Sequence, residues 1–114
     1  MSICNMIGNL TKAPELVHTN TGKIVCNFSI AVKNNWGKET SFFVCQAWEK
    51  TAEKIAEFFI KGSKISVDGW MKQERWEKDG AQKSKIFMIV ERFSFCEKKS
   101  EGQPATQSNS NYGY

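Results

Sequence analysis

The stretch from Ile24 to Lys33 constrains this chain more than any other. Ile24, Cys26, Phe28, Ile30 and Val32 alternate there with Val25, Asn27, Ser29, Ala31 and Lys33. That period of two is the mark of a strand with one sheet face buried. One face of it therefore belongs to a core. The chain has 114 residues, 40 % of them apolar and 25 % charged, which suits one globular domain and leaves too little for a second core.

Other elements can be read around this strand. Residues 3–10 form a first strand, and Glu15-Leu16-Val17-His18 continues it past a kink at Thr11-Lys12-Ala13-Pro14. Thr19-Asn20-Thr21-Gly22 has turn chemistry, since Asn and Gly tolerate positive φ and Thr hydroxyls satisfy local amides. Thr40 to Trp48 reads as a third strand, with Phe43, Cys45 and Ala47 on one parity and Phe42, Val44, Gln46 and Trp48 on the other. The period then changes to 3.6: Ala52, Ile55, Ala56 and Phe59 predict a short helix over 51–60, capped by Thr51 and ended by Gly62. A strand resumes at Lys64, a polar loop over Glu77 to Lys83 contains the hairpin signal Asp79-Gly80, and Lys85 to Cys96 is the last strand.

The order β-β-β-α-β-β predicts an all-β fold with one short helix, a five-stranded Greek-key barrel of the oligonucleotide-binding type. From Lys98 onward the composition is too polar to offset its ordering entropy, which predicts a disordered tail over 98–114 behind a domain of 1–97.

Fold does not give function, so the side chains must. Eight Phe, four Trp and two Tyr are a generous aromatic inventory, and several sit in polar stretches. Trp36 lies between Lys33 and Lys38, Trp48 precedes Lys50, Phe42 shares the Trp48 parity, and Trp76 follows Arg75 with Lys78, Lys83 and Lys85 around its turn. Aromatic platforms interleaved with cations are what a sequence-tolerant binder of single-stranded nucleic acid requires. The candidate contacts are Trp36, Phe42, Trp48 and Trp76 with Lys33, Lys38, Lys50, Lys61, Arg75, Lys78, Lys83 and Lys85. Core packing is the competing reading for Phe42 and Trp48, a plain solvated ribbon for the lysines between 72 and 85, and packing or a subunit contact for Trp70.

The same residues carry a family resemblance. Gly8-Asn9-Leu10 leading to Pro14-Glu15-Leu16, Phe28-Ser29-Ile30-Ala31-Val32, Ala52-Glu53 through Phe58 to Lys61-Gly62-Ser63, and Val67-Asp68-Gly69 occur in the order found in bacterial and phage single-stranded DNA-binding proteins, which the chain resembles from about Ile3 to Cys96. The resemblance implies a protein that coats single-stranded DNA during replication, recombination and repair, as a homotetramer, with Trp36, Phe42, Trp48 and Trp76 at the base-stacking positions. Phe42 replaces a usual Trp there. Many members end in an acidic tip that recruits other enzymes, whereas the stretch from Lys98 holds Glu101 as its one acid and closes on Asn-Tyr-Gly-Tyr. Partner recruitment is therefore not carried over, and a phage, plasmid or transposon origin fits.

Charge and reactive groups agree with binding. Net charge is +4, a mild bias toward polyanions. Cys4, Cys26, Cys45 and Cys96 lack any Cys-x-x-Cys pair and His18 is the single histidine, so neither a metal nor another cofactor is expected. The cysteines read as reduced, and with no secretory signal or membrane span the expected location is cytoplasmic. One histidine and no Gly-rich phosphate loop leave little for catalysis. An RNA-binding barrel, or a barrel whose aromatics form a protein interface, stays open on residues alone.

Overall fold

A computed structural model describes residues 3–34 and 38–96. Trp36 and the tail expected from Lys98 lie outside the described residues. The elements are β1 (Cys4–Leu10), β2 (Glu15–His18), β3 (Ile24–Lys33), β4 (Thr40–Trp48), α1 (Glu49–Phe58), β5 (Lys64–Lys78) and β6 (Ala81–Phe95).

One sheet runs β1-β5-β6-β4-β3-β2, and a further pairing of β1 with β3 closes it into a barrel. This is the oligonucleotide-binding fold. β1 and β2 share one edge of β3: Asn9 and Leu10 pair with Ala31 and Ile30, while Glu15 to His18 pair with Asn27 to Ile24. They act as one strand broken at a kink, as the sequence predicts. Ser29 anchors that kink, its carbonyl accepting from the Thr11 N–H at 3.0 Å and its hydroxyl lying 2.9 Å from the Thr11 hydroxyl.

The inward parity of each strand meets in the core, where Cys26, Ile30, Cys45, Ile65, Val67 and Met88 are fully buried. Ala52, Ile55 and the following Phe59 bring the apolar side of α1 onto the same cluster. Full burial of one large aliphatic side chain contributes roughly 1.5–3 kcal/mol, so the alternation in β3 that opened the sequence is also a main source of stability.

Three boundaries differ from the sequence reading, each for a local reason. The helix starts at Glu49, ahead of Thr51, because Trp48 still has strand dihedrals and Glu49 turns the chain at once with a φ of 54°. Thr51 is inside the helix and caps nothing; no side chain caps this end. Gly62 does not end the helix either. Phe59, already extended, closes α1 with its N–H on the Ile55 carbonyl, and Gly62 forms a separate turn whose N–H donates to Leu10.

The loop expected over Glu77 to Lys83 is instead paired ribbon. Strand pairing runs out to Lys78↔Ala81 and leaves only Asp79-Gly80, both at positive φ, as the turn. Such a two-residue turn matches the twist of the strands it joins, so polar residues are carried on in register.

Candidate nucleic-acid interface

The even residues of β4 point outward. Phe42, Val44 and Trp48 are 67 %, 50 % and 36 % exposed, although Phe43, Cys45 and Ala47 between them turn toward the core. On β3 the outward partners are Ala31 opposite Phe42, Ser29 opposite Val44, Asn27 opposite Gln46 and Val25 opposite Trp48. The small Ala31 leaves the Phe42 ring uncovered. Lys33 shares that outward parity two positions beyond Ala31, at the Phe42 end of the strand pair.

The sheet extends the same surface sideways. Gln46 pairs in parallel with Ile89, and Ile89 pairs with Trp70, so Asn27, Gln46, Ile89 and Trp70 form one row across four strands. Trp70 is half-buried in it, in keeping with a packing residue.

Beyond this row β5 and β6 project as a ribbon. Trp76 is 43 % exposed and stands directly opposite Lys83. Lys72, Lys78 and Lys85 share its face by parity. Lys85 makes a 3.9 Å ion pair with Glu74 and sits 5.2 Å above the centre of the Phe87 ring. Among the described residues neither Lys78 nor Lys83 is in an ion pair, which leaves both charges available to an anion.

Not every candidate is brought to this surface. Arg75 neighbours Trp76 in sequence but takes the opposite ribbon face, opposite Ser84, where its Nη2–H donates to Gln73 Oε1 at 3.2 Å. Lys50 follows Trp48 into the first turn of α1, and Lys61 lies in the turn between α1 and β5, both exposed. Lys38 is exposed just ahead of β4. Lys72, Gln46 and Asn27 also stand on this outer face, and outward parity is the sequence signal that marks them.

The two buried cysteines serve the core behind this surface. Burial pushes the Cys45 thiol up to about 12, and burial together with the nearby Glu15 carboxylate pushes Cys26 up to about 11. Both stay protonated and unreactive at neutral pH.

An aromatic outer face with lysines beside it, on a barrel of this topology, can be set against known proteins. The family model described as "Single-strand binding protein family" matches residues 1–96. The chain belongs to that family. Among its curated relatives is single-stranded DNA-binding protein 3 of Listeria innocua, 38 % identical over 112 residues that cover 93 % of this chain and 70 % of that protein. Single-stranded DNA-binding protein 2 of Streptococcus agalactiae is 36 % identical over 101 residues, 84 % of this chain and 77 % of its own. The single-stranded DNA-binding protein of Treponema pallidum is 34 % identical over 87 residues, 71 % of this chain but 49 % of the relative. This family member thus spans about half the length of the Treponema protein. None of its described helices is long and apolar enough to cross a membrane.

Proposed function

We propose that the chain binds single-stranded DNA without regard to sequence, by stacking bases on Phe42, Trp48 and Trp76 and meeting phosphates with Lys33, Lys38, Lys50, Lys78, Lys83 and Lys85. Trp36 joins the stacking set on the strength of the family resemblance; Lys61 and Arg75 contribute more distantly. The observation that carries this reading is the outward row of β4 continued by Trp76 opposite Lys83, exposed aromatics that the fold does not use for its own core. Stacking contributes about 1–3 kcal/mol per base, so three or four platforms give useful affinity with no base-edge contacts.

Binding, not catalysis, is the proposed activity, in the coating of strands exposed by replication, recombination and repair inside a bacterial cell. A homotetramer with one barrel per chain suits it, because linked sites raise overall affinity. The proposed binding domain ends near residue 97, and recruitment of other enzymes by residues 98–114, which hold one acid, is no part of the proposal.

Titration with a dT oligomer while tryptophan emission is followed tests the reading. Strong quenching is expected in the wild type, and Trp48→Ala or Trp76→Ala weakens binding at least about tenfold with folding retained. Undiminished affinity in both variants sinks it. Competition with rU homopolymer separates DNA from RNA preference.

A further inference from the structure

The outer face holds a hydrogen-bonded chain that stacking by itself does not explain. The Trp48 indole Nε1–H donates to Gln46 Oε1 at 2.9 Å, and Gln46 Nε2–H donates to Asn27 Oδ1 at 3.2 Å. The first step runs back along β4 and the second crosses to β3, where Asn27 is the register partner of Gln46. An indole bonded to the residue two positions behind it on the same strand face must recline along the strand, not stand away from it.

Val25 agrees with that posture. It has outward parity and pairs with Val17 on one side and Trp48 on the other, yet is only 6 % exposed, while the next outward residue, Asn27, is exposed. A reclining ring at Trp48 is placed to cover Val25 with one face and leave its other face to solvent.

Resting on the reading of Trp48 as a stacking platform, we propose that Gln46, anchored by Asn27, is a positioning residue that fixes the Trp48 ring flat on the sheet before any strand arrives. Two consequences follow from the chemistry. Ordering a free side chain on binding costs affinity, and a ring already held in place avoids that cost. The satisfied indole N–H also cannot reach for a base edge, so the platform presents only its π-face, which every base can use.

The full chain carries the test. Gln46→Leu removes both hydrogen bonds at similar size, Gln46→Glu keeps an acceptor for the indole, and Asn27→Leu removes only the anchor. Dissociation constants for a dT oligomer are measured beside solvent exchange of the Trp48 indole N–H, whose resonance is assigned by its loss in Trp48→Phe. Expected are a slowly exchanging indole proton in the wild type, fast exchange in Gln46→Leu with affinity lowered about three- to tenfold, and slow exchange again in Gln46→Glu, whose added negative charge lowers affinity for a polyanion by itself. Asn27→Leu falls between. A merely structural role also speeds this exchange in Gln46→Leu but leaves the dT affinity at the wild-type value. Wild-type affinity in Gln46→Leu, or no recovery of slow indole exchange in Gln46→Glu, overturns the proposal. If Trp48→Ala itself leaves binding unchanged, the failure lies with the stacking role of Trp48 and not with Gln46.

Discussion

Trp76 and Arg75 are consecutive residues that the ribbon sends to opposite faces, and this separates their contributions. Trp76 has Lys83 across from it and Lys78 and Lys85 on its side, whereas Arg75 has Gln73 and Ser84. A strand stacked on Trp76 has its phosphates near Lys83 and away from Arg75. Lys83→Gln should therefore weaken dT binding about eightfold near 50 mM salt, as expected for one lost phosphate contact, with Arg75→Gln much nearer the wild type. Equal losses in the two variants would show that strands wrap both faces of the ribbon. Cys45 offers a second residue-level check, this time on stability. Burial raises its folded thiol pKa from 9.0 to about 12, so from about pH 9 upward the unfolded chain loses this proton while the folded chain keeps it. Stability from this group is complete below pH 9 and is lost as pH rises through that window. Urea midpoints between pH 8 and pH 11 should fall more steeply for the wild type than for Cys45→Ala; parallel curves would deny the thiol any part.

At the level of elements, the junctions decide the shape. The register between β5 and β6 shifts between Asp68 and Gly69, where β5 passes from its pairing with β1 into the ribbon, and a Cβ on Gly69 would run into the Ile89 carbonyl oxygen. Only a residue without a side chain allows that approach. Gly69→Ala is expected to cost about 2–4 kcal/mol, read as a lower denaturant midpoint, and a loss below about 0.5 kcal/mol would mean the backbone relaxes freely there. Glu49 presents the reverse case, a side chain held at a φ of 54° where glycine is at ease. Glu49→Gly should hold or raise the melting temperature, unlike glycine at the helical Lys54, which costs about 1 kcal/mol. These junctions also explain what the sequence could show. The alternation in β3 and β4 announced both faces of the barrel, and with them the outward placement of Phe42 and Trp48. The helix periodicity locates α1, but Thr51 has the chemistry of a cap two residues past the true start, and no pattern announces a glutamate in the left-handed region. The ribbon tip over Glu77 to Lys83 reads as loop because hydrophobic alternation is the signal for a strand, and strands exposed on both faces have no reason to carry it. The Asn27–Gln46–Trp48 chain was invisible for a simpler reason, since cross-strand register is set by the closed sheet and not by neighbours in the chain.

The whole molecule sets how these contacts combine. The 16 basic and 12 acidic residues leave a net charge of +4, too small for bulk attraction to dominate, so binding depends on where the cations stand. Lys33, Lys38, Lys50, Lys78, Lys83 and Lys85 are the proposed phosphate contacts. For single strands each neutralised phosphate changes log K by about 0.7 per unit of log salt, so six contacts predict a slope of about −4. Stacking on the aromatics is nearly independent of salt, and it sets the affinity that survives when the electrostatic part is screened. The two contributions can thus be pulled apart in one experiment, by measuring dT affinity from about 50 mM to 1 M salt. Trp76→Ala should lower the whole line without changing its slope, and Lys83→Gln should flatten the slope by about 0.7. A wild-type slope near −1 would assign nearly all the affinity to stacking. A slope much steeper than −4 would mean that one strand engages the lysines of several protomers at once, which is the behaviour expected if the barrels act as a linked assembly and not as separate binding units.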